Sequence, residues 1–264
     1  MIPVKLETRY PSHQNAIDLF GDRWLVKLEE VYPGVVSGPG HYIRFDIRPI
    51  RAANQLGFVR GSLHGMQVLE LGPMEGAHTY HLSKLGADKV IAIEANSSAF
   101  LRCLVMKEIL RPENCHFLLG DFLPYLEQNP AWHDLIFCSG VLYHMEDPFR
   151  LIEAMCRRTD RVFLWTHYFD PNEPKGPACR PIQVERGGTT ITYHQHAYGI
   201  DINNAPFWGG VTPTPCWMER DDIVGAFERF GFKVKVLVDD REMSSGMNVM
   251  AVAIRNGEFN VAAP

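Results

Sequence analysis

The segment whose residues and spacing most clearly indicate chemistry is Val68–Gly76, which reads VLELGPMEG. A compact apolar run ends at Gly72, and a helix is predicted to begin near Gly76. Glycine lets a backbone turn sharply and lets a ligand approach the main chain. The next apolar run ends in Glu94, where a carboxylate can accept both hydroxyls of a ribose in this topology. The predicted ligand contacts here are Glu70, Gly72, Pro73, Gly76, Glu94 and Ala95.

The same turn differs from a dinucleotide-binding turn. Its pattern is ExGxxxG, whereas dinucleotide proteins carry GxGxxG with a pyrophosphate over the helix N-terminus. Met74 stands where the middle glycine belongs, and Pro73 removes an amide donor from the turn. Glu70 and Glu75 put negative charge where a pyrophosphate needs positive potential. The turn therefore favours a sulfonium cofactor with an ammonium group and no phosphate. The alternative is an ordinary strand–turn–helix that binds nothing.

Two further polar segments follow the third and fourth predicted strands. In the first, Asp121 is suited to hydrogen-bond an adenine amino group, and Phe122 to cover the ring. The second segment runs from Ser139 to Pro148 and reads SGVLYHMEDP, in which Ser139 and Gly140 are further predicted cofactor contacts. Open α/β sheets bind ligands at the carboxyl ends of their strands, so these segments and the glycine turn are expected to meet.

These motifs together resemble the class I S-adenosylmethionine-dependent methyltransferase family. The resemblance covers about residues 65–166 and, more loosely, the C-terminal strands. It implies that Glu70–Gly76 is motif I, that Glu94 is the ribose acid and that Asp121 is the adenine-side acid. The letters GVLYH are similar to a branch that includes tRNA wobble-uridine carboxymethyltransferases and several small-molecule methyltransferases. The implied cofactor is S-adenosyl-L-methionine.

The elements that must position these residues follow an alternating pattern of strand and helix. The expected fold is an α/β, doubly wound, mostly parallel seven-stranded sheet (Rossmann-like) with an antiparallel C-terminal strand, an N-terminal helical extension and an inserted cap. Ser97 or Ser98 is the expected N-cap of the longest helix. Strands are predicted at Met66–Leu71, Val90–Glu94, His116–Leu119, Asp134–Cys138, Arg161–Thr166, Lys233–Val238 and Asn248–Ile254, and helices at His78–Leu85, Ser97–Leu110, Phe122–Gln128, Pro148–Arg158 and Glu219–Phe230.

The domain organisation is expected to have four parts. Residues 1–63 form an N-terminal helical extension, and residues 64–167 form the cofactor-binding core. Residues 168–217 break the strand–helix rhythm and are rich in proline, glycine, histidine and aromatic residues, so they are expected to form an inserted cap. Residues 218–264 return to the core sheet.

The candidate catalytic residues follow the fourth and fifth predicted strands. They are Tyr143, His144, His167 and Tyr168. Methyl transfer from a sulfonium needs an in-line approach, exclusion of water and a place for the acceptor's proton. Neutral histidine suits proton removal near pH 7. The alternative for His144 is a positioning role, in which it packs beside the cofactor and hydrogen-bonds the backbone.

Two other regions carry candidate binding residues. The predicted cap contains Tyr193–Tyr198 (YHQHAY) and Phe207–Gly210 (FWGG). A His-x-His pair can bind a metal, but no acidic or cysteine partners stand in a fixed pattern, so no metal is expected and substrate contacts are favoured. A structural hairpin is the alternative for this segment. In the N-terminal part, either a site for an anionic substrate group or a solvated helix face is expected from Tyr42, Arg44, Arg48 and Arg51.

Composition limits the classes of partner. The 264 residues carry 26 basic and 31 acidic side chains, a net charge of −5, without the basic stripe of a nucleic-acid binder. The six cysteines are widely spaced and lack a CxxC pair, which indicates buried thiols. Because no apolar stretch has the length of a membrane span, no membrane association and a cytoplasmic location are expected.

Three functional hypotheses remain open on this evidence. The favoured one is methylation, on oxygen or nitrogen, of a small-molecule acceptor enclosed by the cap. The second is modification of a tRNA wobble uridine, which the GVLYH and FWGG segments support and the net charge opposes. The third is a non-catalytic nucleotide-binding protein of the same fold, which the intact acidic set Glu70, Glu94 and Asp121 opposes. The sequence does not indicate an oligomeric state.

Overall fold

A central seven-stranded sheet forms the middle layer of the chain in a computed structural model, which describes residues 6–37, 46–199 and 210–260. Each strand is a short apolar run, and four of them are almost wholly buried, as expected for a sheet covered by helices on both faces. The strands of this sheet are β1 (Gln67–Leu71), β2 (Lys89–Glu94), β3 (Cys115–Leu119), β4 (Leu135–Ser139), β5 (Arg161–His167), β9 (Lys233–Asp240) and β10 (Asn248–Ile254).

The strand order is β3-β2-β1-β4-β5-β10-β9. Strands β1 to β5 pair in parallel, and β10 runs antiparallel to both of its neighbours. The prediction of a mostly parallel seven-stranded sheet closed by a C-terminal hairpin is therefore confirmed. The order reverses between β1 and β4, and a reversal of this kind opens a ligand crevice at the carboxyl ends of the two strands.

The helices agree with the predicted positions to within two residues. The helices of the core are α3 (Ala77–Lys84), α4 (Ser97–Leu110), α5 (Phe122–Gln128), α6 (Pro148–Cys156) and α7 (Arg220–Arg229). The predicted N-cap of α4 was wrong. Asn96, rather than Ser97 or Ser98, accepts the Ala99 amide at 3.0 Å, because Asn96 already has the extended backbone that an N-cap requires.

The N-terminal part of the chain packs against the outer face of the core. It contains α1 (His13–Asp18), two 3₁₀ turns and α2 (Arg48–Leu56). Trp24 is fully buried here, and its indole N–H donates to the carbonyl of Ile17 at 2.9 Å. Tyr42 and Arg44, both suggested as anion contacts, lie outside the described residues.

Residues 168–217 contribute a second sheet. Its strands are β6 (Arg180–Arg186), β7 (Thr189–Gln195) and β8 (Cys216–Trp217), in the order β6-β7-β8 and all antiparallel. The Cys216 amide donates to the Met145 carbonyl at 2.8 Å, which joins β8 to the turn after β4. Of the predicted contact segment Phe207–Gly210, only Gly210 is among the described residues.

The cysteines support the packing rather than the chemistry. All six are free, and five are buried, as predicted for small apolar residues. Within the described ranges, no helix combines the length and the apolar character needed to cross a lipid bilayer.

Candidate functional site

The glycine turn after β1 lies against the turn after β4. Gly72 has φ +63°, and a Cβ there would stand 3.0 Å from Val141 Cγ2. Gly76 has φ +82°, and a Cβ there would stand 2.2 Å from Met106 Cε, so glycine is required by both conformation and space. The turn is thereby held close to β3, α4 and the residues that follow β4.

Glu94 shapes the same turn from the end of β2. Its carboxylate accepts the Met74 amide at 2.9 Å and the Asn96 amide at 2.8 Å. Met74 has φ +57°, and its bond to Glu94 fixes this uncommon conformation. Burial raises the pKa of Glu94 although the amides lower it. The carboxylate is therefore oriented before any ligand arrives, as the predicted ribose contact requires.

Glu70 lies beneath the turn rather than on its surface. It is 1% exposed and takes a hydrogen bond from the Thr79 hydroxyl, with His78 Nδ1 4.0 Å from its other oxygen. Burial and the nearby Glu94 together raise the pKa of Glu70 to about 8, although the bond from Thr79 lowers it. At neutral pH this carboxyl is mostly protonated.

The interpretation of Glu75 as open negative charge in the turn was wrong. Its carboxylate is fully buried and pairs with Arg102 Nε at 2.8 Å. It also accepts the amides of Leu25 at 3.0 Å and Val26 at 2.9 Å. Because Arg102 neutralises it from α4, Glu75 joins the N-terminal part of the chain to the turn and does not repel an anion.

The remaining predicted cofactor contacts lie at the same carboxyl edge of the sheet. Asp121 is half-buried and caps α5 by accepting the Leu123 amide at 2.8 Å. Phe122 is half-buried beside it, and Ala95 is exposed. Pro73 is buried in the glycine turn, and Gly140, with φ +79°, follows β4.

Arg48 reaches the site from the start of α2. Its Nη1 donates to Ser139 Oγ at 2.9 Å, and its guanidinium lies 4.8 Å from the centre of the Trp165 ring. Asp46 forms an ion pair with Arg48 and approaches His78 Nε2 at 3.4 Å. Burial alone would raise the pKa of Asp46, but the bonds to His78 and Arg48 lower it. Arg48, one of the four residues suggested to bind an anionic group, thus lies at the ends of the strands, but its charge is already paired with Asp46.

Six aromatic rings gather beyond the ends of β4 and β5, and we call them the aromatic cluster. The ring of Tyr143 meets those of Trp165, His167 and Trp217 edge to face, with centroids 6.1, 4.7 and 6.2 Å away. Burial raises the pKa of Tyr143 to about 12, so its hydroxyl keeps its proton at neutral pH. The cluster comprises Tyr143, His144, Trp165, His167, His196 and Trp217.

His144 is a member of this cluster and lies in the turn after β4. Its Nδ1 makes a short hydrogen bond with the hydroxyl of Tyr198, whose oxygen also accepts the Gly210 amide. The phenol oxygen accepts from Gly210 and can donate its own proton to Nδ1, and in that arrangement the ring proton of His144 is on Nε2. Burial, His167 and His196 lower the pKa of His144 to about 3. This ring is a neutral donor and a weak base.

His167 has the opposite proton arrangement. Its Nδ1 lies 3.0 Å from the Gly246 carbonyl oxygen and 3.2 Å from that of Met247. Carbonyl oxygens only accept, so Nδ1 carries the proton and Nε2 keeps a free lone pair. The ring stacks on Trp217 with centroids 5.2 Å apart and planes within 7°. Burial lowers the pKa of His167, although the carbonyls raise it, so the ring is neutral at pH 7.

Tyr168, the fourth candidate, does not join the cluster. Its hydroxyl donates to Asp239 Oδ1 at 2.6 Å, on the strand next to β10. Burial and this bond raise its pKa to about 12. The alternation of side chains along β5 sends residue 168 to the opposite face from His167, which is the physical reason for the correction.

The two histidines of the predicted cap, His194 and His196, lie in different surroundings. His194 Nε2 lies 3.1 Å from Glu219 Oε1, and its ring stacks on Phe169 with centroids 4.0 Å apart. His196 instead joins the aromatic cluster. Across the described ranges, no group of three metal-ligating side chains comes together.

Several site residues were missed at the sequence level. Trp165 and Trp217 were not singled out, nor was Asn248, whose Oδ1 accepts the Trp165 indole N–H at 3.0 Å. Trp165 stands two residues before His167 on a strand that ends at the site, which was a usable signal. Trp217 and Asn248 are brought to the site by the pairing of strands that are distant in sequence, and no local pattern indicates that pairing.

Comparison with known proteins finds similarity to methyltransferases. Residues 62–168 match the family model described as a methyltransferase domain. The tRNA U34 carboxymethyltransferase of Campylobacter hominis is 31% identical over 115 residues, which cover 42% of this chain and 39% of that protein. That of Trichlorobacter lovleyi is 34% identical over 86 residues, 33% of this chain and 26% of that protein. The matches thus span about two fifths or less of these relatives.

Solved structures extend the likeness to the whole fold. The N-terminal domain of EvdMO1, solved in the presence of SAH and D-fucose, is similar with a TM-score of 0.69 and 20% identity, over 93% of this chain and 99% of that one. An S-adenosylmethionine dependent methyltransferase from Mesorhizobium loti has a TM-score of 0.50 at 18% identity, over 74% of this chain and 93% of that one. Residues 62–168 thus match a methyltransferase domain, and the chain shares its fold with solved S-adenosylmethionine methyltransferase structures.

Proposed function

We propose that the chain transfers the methyl group of S-adenosylmethionine to a hydroxyl or amine of a small neutral molecule. The observation that carries the proposal is the pair of buried, neutral histidines His144 and His167 on either side of Tyr143. They stand next to the glycine turn, because Gly72 packs against Val141 in the same turn as His144.

Cofactor binding rests on the carboxyl ends of β1 to β4. Glu94 is proposed to accept the ribose hydroxyls, and Asp121 to accept from the adenine amino group beside Phe122. Ser139, Gly140 and the glycine turn, including Pro73, are proposed to surround the methionine part. The bound cofactor supplies an electrophilic methyl group, and the residues of the chain orient the acceptor and receive its proton.

The roles of the two histidines follow from their tautomers. His167 keeps a free lone pair on Nε2, so it is proposed to take the proton of the acceptor as the acceptor atom attacks the methyl group. A cofactor held there would supply the methyl group and would leave with the electron pair of its carbon–sulfur bond, as a neutral thioether. His144 presents an Nε2–H donor and is proposed to orient the acceptor. Tyr143 fills the space between the rings and excludes water.

A small, neutral acceptor is supported by the charges around the cluster. Burial lowers the pKa values of His144, His167 and His196, so all three rings are uncharged at neutral pH. Arg48 is already paired with Asp46. The similar EvdMO1 domain was solved with SAH and D-fucose, and that likeness includes the part of the chain beyond the core.

A second candidate, modification of a tRNA wobble uridine, is favoured by one observation. The curated relatives that are similar to part of this chain are tRNA U34 carboxymethyltransferases. More than half of this chain lies outside each of these matches. The net charge of −5 also opposes binding to a phosphate backbone.

One paired experiment tests both candidates. Titration calorimetry with S-adenosylmethionine checks the cofactor, and methyl transfer is then measured with a panel of small hydroxyl and amine compounds. In parallel, tRNA binding is followed by gel shift at rising salt. We expect cofactor binding and a methylated small molecule. Salt-sensitive, specific tRNA binding without any methylated small molecule would promote the second candidate, and NADH binding without S-adenosylmethionine binding would reject both.

A further inference from the structure

Two ring nitrogens of the aromatic cluster are buried without a hydrogen-bond partner in the described part of the chain. They are Nε1 of Trp217 and Nε2 of His196. Trp217 is only 3% exposed, and the two rings meet edge to face with centroids 5.7 Å apart. A buried polar group without a partner costs stability, so two of them on rings in contact point to a ligand that supplies the missing partners.

The neighbouring rings of the cluster have their partners. Trp165 donates to Asn248, and His167 donates to the backbone carbonyls of Gly246 and Met247. The two nitrogen atoms without hydrogen-bond partners therefore both lie where β8 meets the residues that follow β7. The six-membered edge of Trp217 faces Gly246 and Gly176, since a Cβ on either glycine would stand 2.4 or 3.0 Å from Trp217 Cη2. The indole nitrogen is on the opposite side of the ring.

The chemistry of the two atoms is complementary. Trp217 Nε1–H can only donate. Burial lowers the pKa of His196, and the backbone of Ala197 opposes that shift, so the ring is neutral. A neutral imidazole has one N–H and one lone pair, and with the proton on Nδ1 the unpartnered Nε2 is an acceptor. One donor beside one acceptor matches a hydroxyl group, which accepts and donates at once.

We propose that Trp217 and His196 bind a non-reacting hydroxyl of a sugar-like, polyhydroxylated acceptor. The proposal rests on the proposed function, and it narrows the acceptor to this class. A sugar ring presents apolar C–H faces to aromatic rings and neighbouring hydroxyls to their nitrogens. One hydroxyl then lies between Trp217 and His196, while another faces His167 and receives the methyl group. A simple phenol has a single hydroxyl, so it cannot bind between Trp217 and His196 and also present a hydroxyl to His167.

The test uses the full chain loaded with SAH and a panel of monosaccharides that includes D-fucose, with phenols as the comparison panel. Binding is followed by saturation-transfer NMR and calorimetry. We expect a monosaccharide to bind, and Trp217→Phe, which keeps the ring and removes the N–H, to weaken it roughly 2- to 10-fold. The affinity for SAH should not change. A sugar lacking the anchored hydroxyl should lose affinity for the natural chain but not for this variant.

Trp24→Phe is the matched control. Trp24 is as buried as Trp217, but its N–H is bonded to Ile17 and it lies in the N-terminal part. Trp24→Phe should lower the melting temperature and leave sugar binding intact, whereas Trp217→Phe should hold or raise the melting temperature. Equal sugar binding by Trp217→Phe and the natural chain would overturn the proposal, and so would an ordered water alone in that position or a preference for phenols. Failure to bind SAH would instead overturn the proposed function.

Discussion

The guanidinium of Arg102 pairs with the carboxylate of Glu75 at 2.8 Å, and both side chains are fully buried. The pair links α4 to the glycine turn and, through the amides of Leu25 and Val26, to the N-terminal part of the chain. The same two charges therefore stabilise both the turn proposed to bind the cofactor and the N-terminal segment that packs outside it.

Removing one member of this pair should be costly. Arg102→Met leaves the Glu75 carboxylate buried without its cation, and we expect a loss of about 3–5 kcal/mol in the free energy of unfolding. The measurement is urea denaturation. The double variant Glu75→Gln with Arg102→Met should recover much of that loss, because no charge is then left buried alone. A double variant less stable than Arg102→Met would contradict this account.

Glu94→Gln should weaken cofactor binding while preserving the fold. The single amide oxygen of glutamine can still accept one of the two amides of Met74 and Asn96. The charge-assisted bond to a ribose hydroxyl is lost, which corresponds to roughly 10- to 150-fold in the dissociation constant of S-adenosylmethionine. Calorimetry measures the change. The control is Glu108→Gln on the exposed face of α4, which should bind the cofactor normally. An unchanged affinity for Glu94→Gln would remove this residue from the proposed site.

Glu70 predicts a pH dependence of stability. Its pKa rises from 4.5 in the unfolded chain to about 8 in the fold. Between these values the unfolded chain releases a proton that the fold keeps, so the free energy of unfolding falls with rising pH by about 1.4 kcal/mol per unit. Glu70→Gln has no such proton. Urea denaturation at several pH values should show the free energy of unfolding of the variant rising relative to that of the natural chain from pH 4.5 to 8. A difference in unfolding free energy that does not change with pH would refute this prediction.

The strands and helices were predictable because each is marked locally. A buried parallel strand is an apolar run, and α4 and β10 were predicted with their observed bounds. The hairpin β6–β7 was not predicted as two strands, although Ile182, Val184, Ile191 and Tyr193 alternate with polar residues. Because polar residues separate the apolar ones in both strands, the segment lacks the continuous apolar run that marked the strands of the core.

The site was predictable only where a residue follows a strand directly. Glu94, His144 and His167 do so, and the sheet brings them to one edge. Neither the neutralisation of Glu75 by Arg102 nor the position of Trp217 has a local signal, because each depends on contacts between distant parts of the chain. Burial also decided the protonation of Glu70, and burial is a property of the assembled fold.

The two histidines should separate in kinetics. His167→Gln removes the proposed proton acceptor and should lower kcat roughly 10²- to 10⁴-fold. His144→Ala removes an orienting donor and should act mainly on the acceptor KM, by roughly 2- to 10-fold. For the natural chain, kcat/KM should fall as pH decreases through the pKa of His167, which burial places below 6.5. A larger kcat loss in His144→Ala than in His167→Gln would reverse the assigned roles.

Residues 168–217 are proposed to form a cap over the acceptor. This segment reaches the site at three described points: Cys216 bonds to Met145, Tyr198 bonds to His144, and Trp217 stacks on His167. Because these contacts surround the proposed acceptor, binding of acceptor and SAH together should stabilise the segment against local opening and exclude water from the reaction. Limited proteolysis should therefore cut it more slowly with both ligands than with SAH alone. The Trp217→Phe variant should show less of this protection, since it binds the acceptor more weakly. Equal cutting in all states would mean that the segment is a fixed structural hairpin and not a cap.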